Sequence, residues 1–153
     1  MGKVNNNLLM KLSENFSLEE LTRTSTGLDN TPNEEQIENL RQLVLNVLQP
    51  ARDALGSIRV TSAFRAPAVN AKVGGASSSQ HIKGEAADLM MSGGQKRLLD
   101  WIIANAEFDQ IISELPDKNG NPAWVHVSYR EGNNRKQKLK AIKLNGKTKY
   151  LPL

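Results

Sequence analysis

Only two histidines occur in the 153 residues, and each stands where a metal ion could use it. His81 lies in Ser79-Gln80-His81-Ile82-Lys83-Gly84-Glu85-Ala86-Ala87-Asp88, and His126 lies in Trp124-Val125-His126-Val127-Ser128. Zinc takes imidazole nitrogen and carboxylate oxygen in a tetrahedral shell, and a catalytic zinc keeps one position open for water. His81, Asp88 and His126 supply three such donors and leave the fourth position free. Gly84 lets the chain turn between His81 and the strand expected to hold Asp88, so the two side chains can converge. His126 would come from another strand, alternating with the core-facing Val125 and Val127. The competing reading of each histidine is a satisfied, partly buried side chain, the commoner fate of a lone histidine in a strand.

Those donors need elements to hold them. Ser17 followed by Glu20 is a capping box that opens a short helix, and Gly27 breaks it. Thr31-Pro32-Asn33-Glu34 predicts a second helix start, with Thr31 as cap and Pro32 at the first helical position. Ile37, Leu40, Val44, Val47 and Leu48 then form one apolar face. Pro50 should kink or end this helix, and Gly56 should stop any helical continuation beyond it. Ile58–Ser62 reads as a strand, 69–83 as a loop, and Ala86–Met91 as a buried strand. Ser92-Gly93-Gly94-Gln95 is expected to cap a helix reaching about Asn105, with Leu98, Leu99, Trp101, Ile102 and Ile103 inward. Phe108–Glu114 and Trp124–Tyr129 read as strands, and Asn145-Gly146 joins Lys138–Leu144 to Lys147–Leu151 in a hairpin. The expected fold class is α+β: N-terminal helices packed on a mostly antiparallel sheet.

Composition bounds the function. Cysteine is absent, which removes disulfides, thiolate metal sites and cysteine nucleophiles together. Apolar residues make up 39% and charged residues 24%, as in an ordinary globular domain, and no apolar run approaches a membrane span. The polar, Asn-rich N-terminus does not read as a secretory signal, so cytoplasmic synthesis without a signal peptide is expected. The net charge of +4 is uneven: from Arg130 onward, eight basic residues face only Glu131. A polyanionic partner and a solvated strand pair with outward lysines explain this equally well. Nucleic acid is not expected, because no aromatic residues interleave the basic run. Without a heptad stripe or similar signal for assembly, a monomer is expected.

Ser79-x-His81-x-x-Gly84-x-Ala86-x-Asp88 followed by Trp124-x-His126 resembles the signature of the zinc D-alanyl-D-alanine carboxypeptidase family. That family shares its metal-site architecture with lysostaphin-type enzymes and the hedgehog signalling domain. Thr61-Ser62-Ala63-Phe64-Arg65-Ala66-Pro67-Ala68-Val69-Asn70 is similar to the family's SxxRxPxxN segment, and Val73-Gly74-Gly75 fits as well. The segments Phe16–Leu21 and Asn30–Pro32 resemble phage and prophage members, so the likeness runs roughly from Phe16 to Leu151. The resemblance implies a flexible segment over 1–15 and a single zinc peptidase domain over 16–153. It implies Zn²⁺ on His81, Asp88 and His126, Arg65 as a substrate-binding or oxyanion-stabilising group, and Ser79 as a hydrogen-bonding partner of either the substrate or the loop backbone. The implied substrate is a peptidoglycan stem peptide, cut as a D-Ala-D-Ala carboxypeptidase or an L-Ala-D-Glu type endopeptidase would cut it. Phage lysis or entry would carry such a protein to the cell wall.

The general base departs from the family pattern. Several members place an acid three residues before the second histidine, where this chain has Ala123. Glu114 is the expected substitute: Ile112 and Glu114 share a strand face that could meet Trp124, His126 and Ser128 across an antiparallel pair. Glu85 has the wrong parity relative to Asp88, and Asp117 lies in a loop. Ala123 also keeps open a non-catalytic zinc-binding module that recognises wall fragments or a protein partner. A polyanion-binding protein driven by the basic tail is a third, more distant reading.

Overall fold

Capping chemistry sets where the helices begin in the computed structural model, which describes residues 10–153. The first nine residues of the segment expected to be flexible lie outside the described residues. Ser17 caps α1 (Leu18–Leu21), its hydroxyl accepting from the Glu20 N–H at 3.2 Å. The next helix, α2 (Glu34–Leu43), is capped by Asn33 rather than Thr31. Asn33 Oδ1 accepts from the Gln36 N–H, and Gln36 Oε1 accepts from the Asn33 N–H, both at 2.8 Å. The reciprocal pair outcompetes a lone threonine hydroxyl, so Pro32 lies ahead of the cap instead of inside the helix.

Pro50 neither ends nor breaks the helical run. A π-helical turn, Val44–Leu48, joins α2 to α3 (Gln49–Leu55), and Pro50 stands in the first turn of α3. Proline has no N–H for the carbonyl four residues back and crowds it, and the widened turn absorbs both defects. The run stops at Gly56, whose φ of 98° suits glycine.

Six strands form one sheet: β1 (Arg59–Ser62), β2 (Ala86–Met90), β3 (Gln110–Glu114), β4 (Trp124–Ser128), β5 (Gln137–Leu144) and β6 (Lys147–Pro152). Their order is β1-β2-β4-β3-β5-β6, and every pair is antiparallel except β3 with β5. The architecture is therefore α+β with a mostly antiparallel sheet. The region expected to be a loop over 69–83 instead contains α4 (Pro67–Lys72) and a 3₁₀ turn (Gln80–Lys83). Pro67 at the start of α4 is pre-organised for a helix, a signal that weak apolar periodicity had masked. The last helix, α5 (Gln95–Asn105), begins after Gly94 with no side-chain cap.

Alternation in the strands divides the sheet into two faces. Ala87, Leu89, Ile111, Val125 and Val127 are buried on one face, in the same core as Leu40, Val44, Leu48, Leu98 and Ile102. Each of the larger side chains contributes about 1.5–3 kcal/mol when fully buried. The opposite face carries Asp88, Ile112, Glu114 and His126 along the same strands. Among the described residues, no helix is long and apolar enough to cross a membrane.

Candidate metal centre

Strand pairing delivers two of the three expected donors side by side. Asp88 on β2 is the antiparallel partner of His126 on β4. Paired residues point to the same face, so His126 Nδ1 lies 3.0 Å from Asp88 Oδ1. His81 approaches from the 3₁₀ turn, with its Nε2 3.5 Å from Asp88 Oδ2 and its ring centroid 5.1 Å from that of His126. One donor atom from each of the three residues falls within 4.8 Å of the others.

The turn holding His81 is fixed from several sides. Ser79 Oγ accepts from the His81 N–H at 3.1 Å and caps the turn. Gly84 closes it at a φ of 76°, and a Cβ there would stand 2.6 Å from the Gln36 carbonyl oxygen. Glycine is thus needed both for conformation and for space. Gln36 and Asn39 of α2 donate side-chain N–H groups to the Ile82 and Lys83 carbonyls. The His81 ring is fixed as well: Nδ1 lies 2.6 Å from the Ala63 carbonyl oxygen, which can only accept, so Nδ1 bears the hydrogen. A neutral His81 therefore offers Nε2 as its free electron pair, toward Asp88. That is how a metal-ligating imidazole is normally oriented, and the donor set fits zinc.

The electrostatics agree with this fit. Burial lowers the pKa of His81, as do the charges of His126 and Arg65, against an opposing pull from Asp88. The neutral imidazole is the ligating form. Burial of Asp88 opposes its ionisation, but its polar contacts with His126 and His81 overcome it. The Asp88 carboxyl is held well below the usual carboxylate range and remains an anion.

Arg65 is held by residues around its own segment. Its Nε donates to Ser62 Oγ at 3.0 Å, Nη1 to Asn70 Oδ1 at 3.3 Å, and Nη2 to Asp88 Oδ2 at 3.2 Å. Asn70 in turn donates to the Ala76 carbonyl, and Gly75 packs so closely on Asn70 that a Cβ there would collide with Oδ1. Three of the five guanidinium N–H groups are engaged, which leaves two for a ligand.

These residues line a cleft of about 840 Å³ that also includes Ser79, Glu85, Glu114 and Trp124. Glu114 pairs with Trp124, two residues along the strands from the Ile112–His126 pair, and so shares their face. The Ala123 N–H donates to the Glu114 carbonyl at 2.8 Å, so the alanine and the acid are backbone neighbours. Burial raises the pKa of Glu114, opposed by His126 and reinforced by Asp88. Asp117 instead accepts the N–H groups of Asn119 and Asn121 within its own turn.

Two features escape the sequence reading. Gln80 donates to Glu85 Oε1 and to Asp109 Oδ2, at 3.3 and 3.1 Å. Asp109 is 0% exposed and binds Arg135 through Nε at 3.0 Å and Nη2 at 2.8 Å. An acid set in the apolar stretch Phe108-Asp109-Gln110-Ile111-Ile112 was the available signal. Tyr150 and Lys143, from the C-terminal hairpin, also line the cleft.

Two imidazoles and a carboxylate converge in a cleft on an α+β scaffold, a donor set that could hold a metal ion. The sequence profile of the peptidase M15 family matches residues 14–128, and the chain belongs to that family. Peptidases of this family are typically zinc-dependent, in keeping with the donor set described above. A comparison with curated proteins found no match.

Proposed function

We propose that the protein is a zinc-dependent peptidase that hydrolyses a peptide bond in peptidoglycan stem peptides, as a D-Ala-D-Ala carboxypeptidase or an L-Ala-D-Glu type endopeptidase. The observation that carries this reading is the convergence of His81, Asp88 and His126 in a cleft shared with Glu114. His81 Nε2, an oxygen of Asp88 and a ring nitrogen of His126 would hold the ion. Zinc, when bound there, supplies a Lewis acid that polarises the scissile carbonyl and eases ionisation of water. Glu114 accepts the proton of the attacking water at its carboxylate and returns it to the departing amine nitrogen as the C–N bond breaks. The two free N–H groups of Arg65 hold a substrate carboxylate or the developing oxyanion, and the guanidinium also orients Asp88. Ser79, already engaged by the His81 N–H, keeps its own hydroxyl proton for substrate. Action at the cell wall, in phage lysis or entry, is part of the same reading and rests on the motif resemblance.

Purified peptidoglycan provides the test. The zinc-loaded chain is expected to release new amino and carboxyl groups, chelation to abolish this, and added zinc to restore it. Glu114→Gln is expected to keep its zinc and lose about 10²- to 10⁴-fold in rate. Chelator-resistant hydrolysis would contradict the mechanism. Ala123 favours one other reading, a zinc-binding module that recognises wall fragments without cutting them. Stoichiometric zinc with no hydrolysis, unaffected by Glu114→Gln, would select it.

A further inference from the structure

The family profile ends at Ser128, yet the cleft does not. Its far wall is built by β5 and β6, and the register says which of their side chains face it. Glu114 on β3 pairs with Ala141 on β5, and Ala141 pairs with Tyr150 on β6. Residues in such a row share a face, so Tyr150 stands on the face of Glu114 and His126. Only the methyl group of Ala141, fully buried, separates Glu114 from Tyr150 in this row. Two strand spacings, about 10 Å, lie between their backbones, a gap that a tyrosine ring lying over a methyl group can close. Burial raises the Tyr150 pKa, and the charges of Glu114 and Asp88 add to the effect. The residue is 54% exposed and lines the cleft, so a ligand there can reach it.

One step further along the same face, Lys143 pairs with Thr148, and both line the cleft. Lys143 forms no ion pair among the described residues. The other hairpin lysines, Lys138, Lys140, Lys147 and Lys149, alternate onto the opposite face. Lys143 is thus the hairpin cation directed into the cleft, two rows from His126 and about 13 Å along the strands. The hairpin is firmly placed: Arg135 grips Asp109, the Lys136 and Gln137 N–H groups bond to Phe108 and Asp109, and the Leu115 N–H bonds to Ala141.

We propose that the C-terminal hairpin forms a substrate subsite, in which the Tyr150 hydroxyl hydrogen-bonds the bound peptide and Lys143 pairs with a carboxylate that the peptide carries. The subsite lies on the side of the metal donors away from Arg130 and Arg135. Its ligand is an acidic peptide, and for this it rests on the peptidase reading above.

Binding and cleavage are measured separately on the zinc-loaded full chain. The probes are the stem pentapeptide L-Ala-γ-D-Glu-L-Lys-D-Ala-D-Ala and its analogue with the glutamyl α-carboxylate amidated. Tyr150→Phe and Lys143→Gln alter exposed side chains and are expected to retain full zinc content. Each is expected to weaken pentapeptide binding by about five- to tenfold. Lys143→Gln is further expected to erase the preference for the free carboxylate over the amide, which a merely structural role would not do. Unchanged affinity in both variants, or no binding of the pentapeptide by the parent, overturns the subsite. Peptidoglycan hydrolysis with unchanged kcat/KM in both variants sinks the subsite alone and leaves the peptidase reading standing. Binding that depends on Tyr150 and Lys143 without hydrolysis upholds the subsite and rejects the peptidase reading.

Discussion

Asp88 is the residue on which the others converge: both histidines and Arg65 reach its two oxygens. Replacing it with asparagine removes the charge while keeping the shape. Asp88→Asn is expected to weaken zinc binding by at least about 100-fold, read as metal per chain after dialysis against a weak chelator. His126→Ala should likewise lower zinc content, and unchanged loading would refute the ligand assignment. Glu114 carries a pH prediction. A general base works ionised, so kcat/KM should show an acid limb set by Glu114, whose pKa burial raises in the metal-free protein. The rate should rise with pH through that limb. An acid limb unchanged in the residual activity of Glu114→Gln would assign it to another group.

At the scale of elements, the 3₁₀ turn is the most demanding piece, because it must present His81 while passing close to α2. Gly84 meets both demands, with a left-handed φ and no Cβ against the Gln36 carbonyl. Gly84→Ala is expected to cost about 1–3 kcal/mol of stability in chemical denaturation. Zinc affinity should fall with it, since Gly84 closes the turn that carries His81. An alanine variant of parental stability and zinc affinity would show that the turn is adaptable. The elements that the sequence reading found are those with strong local signals: the apolar face of α2, Gly56, and the Asn145-Gly146 hairpin. α4 and the 3₁₀ turn were missed because short helices carry little periodicity, and their order depends on Arg65, Asn70 and the side chains of α2. The start of α2 moved because two cap signals overlapped and the reciprocal Asn33–Gln36 pair was the stronger.

Across the whole molecule, Asp109 links parts distant in sequence: Gln80 beside the candidate metal donor His81, Ser128 at the end of β4, and Arg135 at the root of the hairpin. Burial opposes its ionisation, but the hydrogen bonds and charge of Arg135 prevail and lower its pKa. A carboxyl with a depressed folded pKa contributes stability above its unfolded value, about 3.9, and loses it as pH falls through the folded value. Arg135→Ala is therefore expected to destabilise the protein by about 2 kcal/mol at pH 7. The difference from the parent should shrink below about pH 4 in thermal or denaturant melts. A difference independent of pH would assign Arg135 a packing role only. The composition of the chain already excluded thiol chemistry, and local patterning defined the α+β class and most of the strands, because propensity and periodicity act over a few residues. The candidate donors were legible too, since a chain with two histidines in motif-like settings offers few alternatives. Only the tertiary structure decided that Asp88 faces His126 across β2 and β4, that Glu114 rather than Asp117 lies in the cleft, and that Tyr150 and Lys143 reach it. Those relations are set by register between strands far apart in sequence, and a one-residue slip would turn each of these side chains to the other face.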